Sequence, residues 1–413
     1  MWWENGFIQV KDNRLHLGSQ PASAIAEKFG TPLFVYSRNQ MAANYENLLT
    51  IFKKHLPRPV RIYYAMKANP HPGILKLFKH KNAGIDAVSP GEIEAALEAG
   101  YPQEEIIFTG TSLSRKDMNR VLAFPDIIFN LDAMEQLEML KEVRDAASPG
   151  HTVKISLRWN PGKGRGFNPK VVTAGIRTPE GIPVKFGVED RQVLPFFHKA
   201  ASFGFIPMGL HQHLGSGWVG GDFDAVAWAA DKMIEKAAEL HMEGFRLDFL
   251  DFGGGFGPKY FAGQTLFPLE KYAAKIGTAL RNSSLPVPEI IFEPGKYLTA
   301  DAGVLLMRVE YVKRCYGNTF ACVNAGTFNT VPRPAIYTGA EHPVVNCAQV
   351  SCTEPPNITV AGNLCETGDL FAREIPMPEP KSGDILAMLA AGAYCRSMAS
   401  RFNLRDIPQE VLI

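Results

Sequence analysis

Between residues 60 and 298 the chain alternates short apolar runs with longer segments whose apolar residues recur at helical spacing. The short runs fall at 61–67, 84–89, 106–110, 127–132, 153–160, 209–216, 247–253 and 289–293. All have strand length, and several are dominated by β-branched and aromatic side chains, as in Ile106-Ile107-Phe108 and Ile290-Ile291-Phe292. The segment 91–100 shows the intervening pattern: Ile93, Ala96 and Leu97 lie at helical spacing and Gly100 supplies a stop. Eight such β/α alternations favour closure into a (β/α)8 barrel over a doubly wound open sheet. The runs end in Lys67, Ser89, Gly110, Asp132, Asn160, Ser216, Gly253 and Glu293. Barrel active sites are built at the C-terminal strand ends, so one face is predicted to collect the chemistry.

Beyond about residue 300 the period changes to closely spaced strand-like runs, at 304–312, 319–323, 343–350, 358–360, 385–389 and 410–413. They predict a second, all-β domain. The opening residues Phe7-Ile8-Gln9-Val10 and Arg14-Leu15-His16-Leu17 read as a hairpin around Lys11-Asp12-Asn13 that belongs with that domain. A length of 413 residues agrees with two domains.

Composition narrows the partners. Apolar residues make up 46% and charged residues 21%, as in ordinary globular chains. With 43 basic against 42 acidic residues and no long basic run, nucleic acid and anionic membrane are not expected partners. The N-terminus has neither a basic nor an apolar leader region, and no apolar stretch is long enough to span a bilayer. The six cysteines form no CxxC pair and read as free thiols of a reducing compartment, so a cytoplasmic location is expected.

Lys67 puts an amine at the tip of an apolar run, where poor solvation is expected to make it nucleophilic. After the seventh run come Gly253, Gly254 and Gly255, and after the eighth Glu293-Pro294-Gly295. Glycine N–H groups at those two loops suit a phosphate. His211-Gln212-His213 places two imidazoles on one strand face, which in a barrel also suits a metal. A metal needs further ligands, and the only later histidines are His241 and His342, so no metal is expected. The other reading has His213 stacking on a flat ring while Ser216 and the glycines hold its phosphate; His211 stays unassigned. Glu293, an acid at a strand tip, then suits a pyridine nitrogen, which it keeps protonated.

These residues resemble the fold-type III pyridoxal-phosphate-dependent decarboxylases, and among them the diaminopimelate decarboxylases. The resemblance rests on Tyr64-Ala65-Met66-Lys67-Ala68-Asn69, Asp86-Ala87-Val88-Ser89-Pro90-Gly91-Glu92, Lys185-Phe186-Gly187, His213 with Ser216, Gly253 to Gly255 and Glu293-Pro294-Gly295. Arg333-Pro334-Ala335-Ile336-Tyr337, Cys365-Glu366-Thr367 and Gly392-Ala393-Tyr394 continue it through the β domain. It implies an alanine-racemase-like barrel over 30–298, and a β-sandwich or Greek-key domain from 1–29 and 299–413. It also implies pyridoxal 5'-phosphate as cofactor, bound by Lys67 as the Schiff-base lysine with Asp86, His213, Ser216, Gly253, Gly254, Gly255, Glu293, Gly295 and Tyr394. The implied reaction is decarboxylation of meso-2,6-diaminopimelate to L-lysine and CO2. Cys365 would be the proton donor, and Lys296, Arg333, Tyr337, Glu366 and Tyr394 would bind the substrate. A homodimer with shared active sites is implied, in which Cys365 and Glu366 reach the partner's pocket.

Two positions depart from the family. Lys296 stands where arginine usually follows Glu-Pro-Gly, keeping the charge and losing the bidentate fork. Phe108–Ser114 lacks the usual Gly-Asn-x-Lys-Ser pattern. A decarboxylase of ornithine, lysine, arginine or a conjugated diamino acid is the alternative, followed by a non-catalytic cofactor-binding homologue and a metal-dependent barrel hydrolase. A racemase is disfavoured, because racemases of this fold set arginine against the ring nitrogen.

Overall fold

The structure, a computed structural model, describes residues 1–283, 285–286 and 289–413. Each expected run between 60 and 298 yields one strand: β1 (Val60–Ala65), β2 (Gly84–Ala87), β3 (Ile106–Phe108), β4 (Ile128–Leu131), β5 (Lys154–Arg158), β6 (Ile206–His211), β7 (Phe249–Asp251) and β8 (Glu289–Phe292). All neighbours pair in parallel, and β8 pairs with β1 to close the barrel. Most strands stop before the polar residues at their tips, which therefore ride on the loops that follow. β6 lies three residues earlier than expected. Its downstream part turns away at Gly215 (φ +139°) and Gly217 (φ +75°), where the Leu214 carbonyl accepts from Arg165 and Thr173 instead.

The barrel interior is a packed layer of Tyr63, Ile107, Ile128, Phe249 and Ile291, joined by Met208. Two glycines make room for the rings. A Cβ on Gly84 would meet Tyr63 at 2.5 Å, and one on Gly209 would meet Phe249 at 2.2 Å. Small residues opposite large ones let a narrow barrel fill without voids.

The helix after β2 shows how the family-like segment 86–92 folds. Ser89 caps helix Pro90–Glu98 by accepting from the Glu92 N–H, Pro90 occupies the first turn, and the Glu92 carboxylate accepts from Val88 N–H at 2.7 Å. Gly100, at φ +89°, then ends the helical turn.

The chain divides into two compact units. One comprises Tyr45–Gly257 and Thr265–Gly295, and the other Met1–Asn44, Pro258–Gln264 and Lys296–Ile413. The expected boundary at residue 30 leaves out Leu33–Tyr36, whose four buried residues form a strand between Gly303–Cys315 and Gln409–Leu412. Such a fully buried apolar run looks the same in a barrel and in an antiparallel sheet, and only its partners distinguish them. Within this β unit the strands run in the order Val344–Asn346, Ile385–Met388, Gly303–Cys315, Asn318–Val323, Asn357–Ala361 and Leu370–Pro376. The last of these lay outside the expected runs. The N-terminal hairpin forms as predicted, with Lys11 opposite Arg14 and a two-residue turn at Asp12 (φ +49°) and Asn13 (φ +58°). Its Phe7, Leu15 and Leu17 share a core with Ile25, Val35 and Leu306. Among the described residues no helix is long and apolar enough to cross a membrane, and the six cysteines are free.

Candidate active site

At the C-terminal end of the barrel, Lys67 sits on the single turn Met66–Ala68 that follows β1. The turn is pinned by Tyr64, whose hydroxyl donates to the Asn69 carbonyl at 2.9 Å, and by the Asn69 N–H, which donates to Met66 O at 3.0 Å. The expected isolation of the amine is not observed. Its side chain is 33% exposed and forms an ion pair with Asp86, the fully buried acid one residue from the end of β2. Burial and the charge of Glu293 raise the Asp86 carboxyl, and Lys67 opposes them. Asp86 Oδ1 is buried without a donor among the described residues.

Three further strand ends meet beside this pair. His211 closes β6, Asp251 closes β7 in register with it, and Glu293 follows β8. His211 Nε2 lies 3.1 Å from Glu293 Oε2, with both side chains almost wholly buried. One ligand-capable atom from each of His211, Asp251 and Glu293 lies within 4.8 Å of the others. Burial raises the Glu293 carboxyl, but the charge and hydrogen bond of His211, with Lys67, outweigh it and hold the group well below the carboxylate range. Asp251 goes the other way: burial and the charge of Glu293 lift it well above that range. A carboxylic acid therefore stands beside a carboxylate. Glu293 Oε1 is buried and receives no donor among the described residues.

The glycine run is tightly constrained. Gly253 N–H donates to Asp251 Oδ1 at 2.8 Å and Gly254 N–H to His213 Nδ1 at 3.1 Å. Gly253 (φ +65°) and Gly255 (φ +123°) adopt left-handed conformations, and a Cβ on Gly254 would meet the Glu293 carbonyl at 2.2 Å. The run thus fixes the half-buried His213 ring in the tautomer whose Nδ1 accepts. Burial, Arg158 and Lys67 hold that imidazole well below its ordinary value, which keeps it neutral. Gly295 packs against Ala68, where a Cβ would come within 2.9 Å. Half-buried Ser216 is held through its carbonyl by the Phe167 N–H at 3.0 Å. Arg158, at the tip of β5, is buried with its guanidinium 4.5 Å from the Phe186 ring of the Lys185-Phe186-Gly187 segment.

The β unit carries its own cluster. Arg333, only 2% exposed, donates from Nη1 to His342 Nε2 at 2.8 Å and to the Tyr260 hydroxyl at 3.2 Å. His342 Nδ1 donates to the Leu389 carbonyl at 3.0 Å, which leaves Nε2 as the acceptor that Arg333 needs. Lys296, 4% exposed, sits with Nζ 5.6 Å from the Tyr394 ring. Burial and the neighbouring Arg333 charge push its amine well below the usual range. Tyr394 is held at φ +55°, a conformation uncommon for a residue with a side chain. Tyr337 N–H donates to Arg333 O at 2.8 Å, closing the single turn that presents the guanidinium. Cys365 and Glu366 lie on an exposed loop, Cys365 N–H donating to Asn403 Oδ1 at 2.8 Å and Glu366 Oε1 accepting from Gly368 N–H at 3.3 Å.

Residues 42–300 match the family model for the pyridoxal binding domain of pyridoxal-dependent decarboxylases. The chain belongs to that family. It is 37% identical to the diaminopimelate decarboxylase of Methanothermobacter thermautotrophicus, over 98% of this chain and 92% of that protein. Among solved structures, the diaminopimelate decarboxylase of Methanocaldococcus jannaschii in complex with L-lysine superposes with a TM-score of 0.89 at 29% identity, covering 100% of this chain and 94% of that one. The Helicobacter pylori enzyme complexed with L-lysine gives 0.85 at 30% identity, over 94% and 93%.

Pyridoxal phosphate is the cofactor of this family, and the barrel residues fit it. The buried Glu293 Oε1 and Asp86 Oδ1 lack donors among the described residues, as expected where a ligand completes the hydrogen bonding. Sequence pattern alone does not single out Arg158, Asp251, Tyr260 or His342. Asp251 carried a usable signal, as an acid directly preceding a glycine run at a strand end. Tyr260 and His342 carried none, because they meet Arg333 only through the fold.

Proposed function

We propose that this chain decarboxylates meso-2,6-diaminopimelate to L-lysine and CO2, as a homodimer with shared active sites. The substrate choice rests on one observation: Lys296 and Arg333 are both buried, and the charge of Arg333 depresses the Lys296 amine. A distal carboxylate entering there would restore the lysine charge and accept from the guanidinium. Ornithine and arginine carry no such carboxylate.

Lys67 would hold the cofactor covalently, with Asp86, His213, Ser216, Gly253, Gly254, Gly255, Gly295 and Tyr394 binding the rest of it. Bound pyridoxal phosphate supplies an electron sink for the pair left when the carboxylate departs. Glu293 Oε1 would face the ring nitrogen and hold its proton. Cys365 would return a proton to the substrate carbon, and its exposed loop is available to a second copy of the chain. Tyr337 and Glu366 would contact the distal end of the substrate.

A panel assay of CO2 release tests the reading. Turnover of meso-diaminopimelate with little from ornithine, lysine or arginine is expected; the opposite preference would overturn the substrate assignment. Sedimentation at active concentrations, with complementation between Lys67→Ala and Cys365→Ala chains, tests the shared site.

A further inference from the structure

Three adjacent strand ends deliver His211, Asp251 and Glu293 to one buried point, and the proposed roles account for Glu293 alone. The Glu293 backbone is clamped: its N–H donates to Gly253 O at 2.9 Å, and Gly254 packs so closely on its carbonyl that a Cβ would sit 2.2 Å away. The side chain still needs something to fix it. His211 Nε2, 3.1 Å from Oε2, donates to it, and the protonated Asp251 lies against the same carboxylate. Asp251 completes the group, since its Oδ1 accepts from Gly253 N–H and its carboxyl lies against Glu293.

We infer that His211 is the positioning residue of Glu293: it donates Nε2–H to Oε2 and so leaves Oε1 for the nitrogen of the bound cofactor ring. The inference rests on the reading of Glu293 as the ring-facing carboxylate. Buried carboxylates left without donors take up a proton, and a protonated Glu293 cannot hold the proton of a pyridine nitrogen. The groups that bear on Glu293 are Lys67 beyond β1, Asp86 of β2, Arg158 of β5, His211 and His213 of β6 and its loop, and Asp251 of β7. Asp86 lies close enough for its charge to disfavour ionised Glu293, so loss of His211 would tip the balance towards the neutral acid.

The test compares His211→Leu, His211→Gln and Glu293→Gln. Pyridoxal phosphate affinity of the apoprotein is read by fluorescence titration, and carboxyl protonation by infrared absorption without cofactor. His211→Leu is expected to weaken cofactor binding about tenfold and to add a protonated-carboxyl band at neutral pH. His211→Gln, whose amide reaches the position of Nε2 and donates in its place, is expected to restore both. If His211→Leu binds like the parent and adds no band while Glu293→Gln weakens binding, the positioning role falls and the ring-facing role of Glu293 stands. If Glu293→Gln also leaves binding unchanged, both fall together. A stoichiometric metal in the purified protein, lost in His211→Gln, would overturn the inference in favour of a cation at the three groups. Should the leucine variant fail to fold, the glutamine variant still decides: a new carboxyl band in it would refute the role.

Discussion

Acidification should loosen the β unit through His342. This ring is buried, donates to Leu389 O and accepts from Arg333, and burial with the Arg333 charge lowers its pKa from 6.5 to about 3. The folded value lies below the unfolded one, so the contribution to stability is complete above 6.5 and is lost as pH falls towards about 3. From about pH 8 to about pH 5 the loss is about 1.5 units of linkage, or about 2 kcal/mol. For a unit of this size that corresponds to about 4–8 °C in Tm. His342→Gln keeps an oxygen for the Arg333 N–H and does not titrate in this range. Urea unfolding and thermal melts at the two pH values, on parent and variant, isolate the effect, because the other acids titrate alike in both proteins and cancel. The variant should lose about 2 kcal/mol less on acidification. Equal losses in the two proteins would refute the tautomer assignment and the burial argument with it.

Lys67→Ala should abolish the visible absorbance of the holoprotein and cut kcat by at least about 10²-fold, and retained absorbance would move the covalent attachment to another lysine. Cys365→Ser should lower kcat by about 10²–10⁴-fold with little change in cofactor affinity, measured by steady-state kinetics and fluorescence titration. Arg333→Lys, which loses the planar fork that reaches His342 and Tyr260, should raise KM for diaminopimelate about tenfold or more. Gly209→Val places a Cβ 2.2 Å from the Phe249 ring and should cost about 1–3 kcal/mol in urea unfolding.

Much of the barrel was legible because its signal is local and periodic. An apolar run bounded by turn residues becomes a buried parallel strand wherever it falls, so all eight runs found strands; most stop before their polar tips, and β6 is displaced where glycines redirect the chain, at Gly215 and Gly217. The polar tips were legible for the same reason, since a ladder ends where side chains need water or a ligand. Leu33–Tyr36 was not legible, because four buried apolar residues carry no mark of which sheet they join.

The sequence by itself determined the architecture and the identity of the groups at the strand ends: Lys67, Asp86, His211, His213 and Glu293 are there because the β/α period puts them there. Their pairing was decided by the tertiary structure. His211 and Glu293 stand 82 positions apart and meet only because barrel closure makes their strand ends converge. The same holds for Arg333, whose partner Tyr260 comes from 73 positions away. Hydrogen bonds and charge shifts depend on distances of a few ångströms, and no sequence spacing specifies those until the chain has folded back on itself.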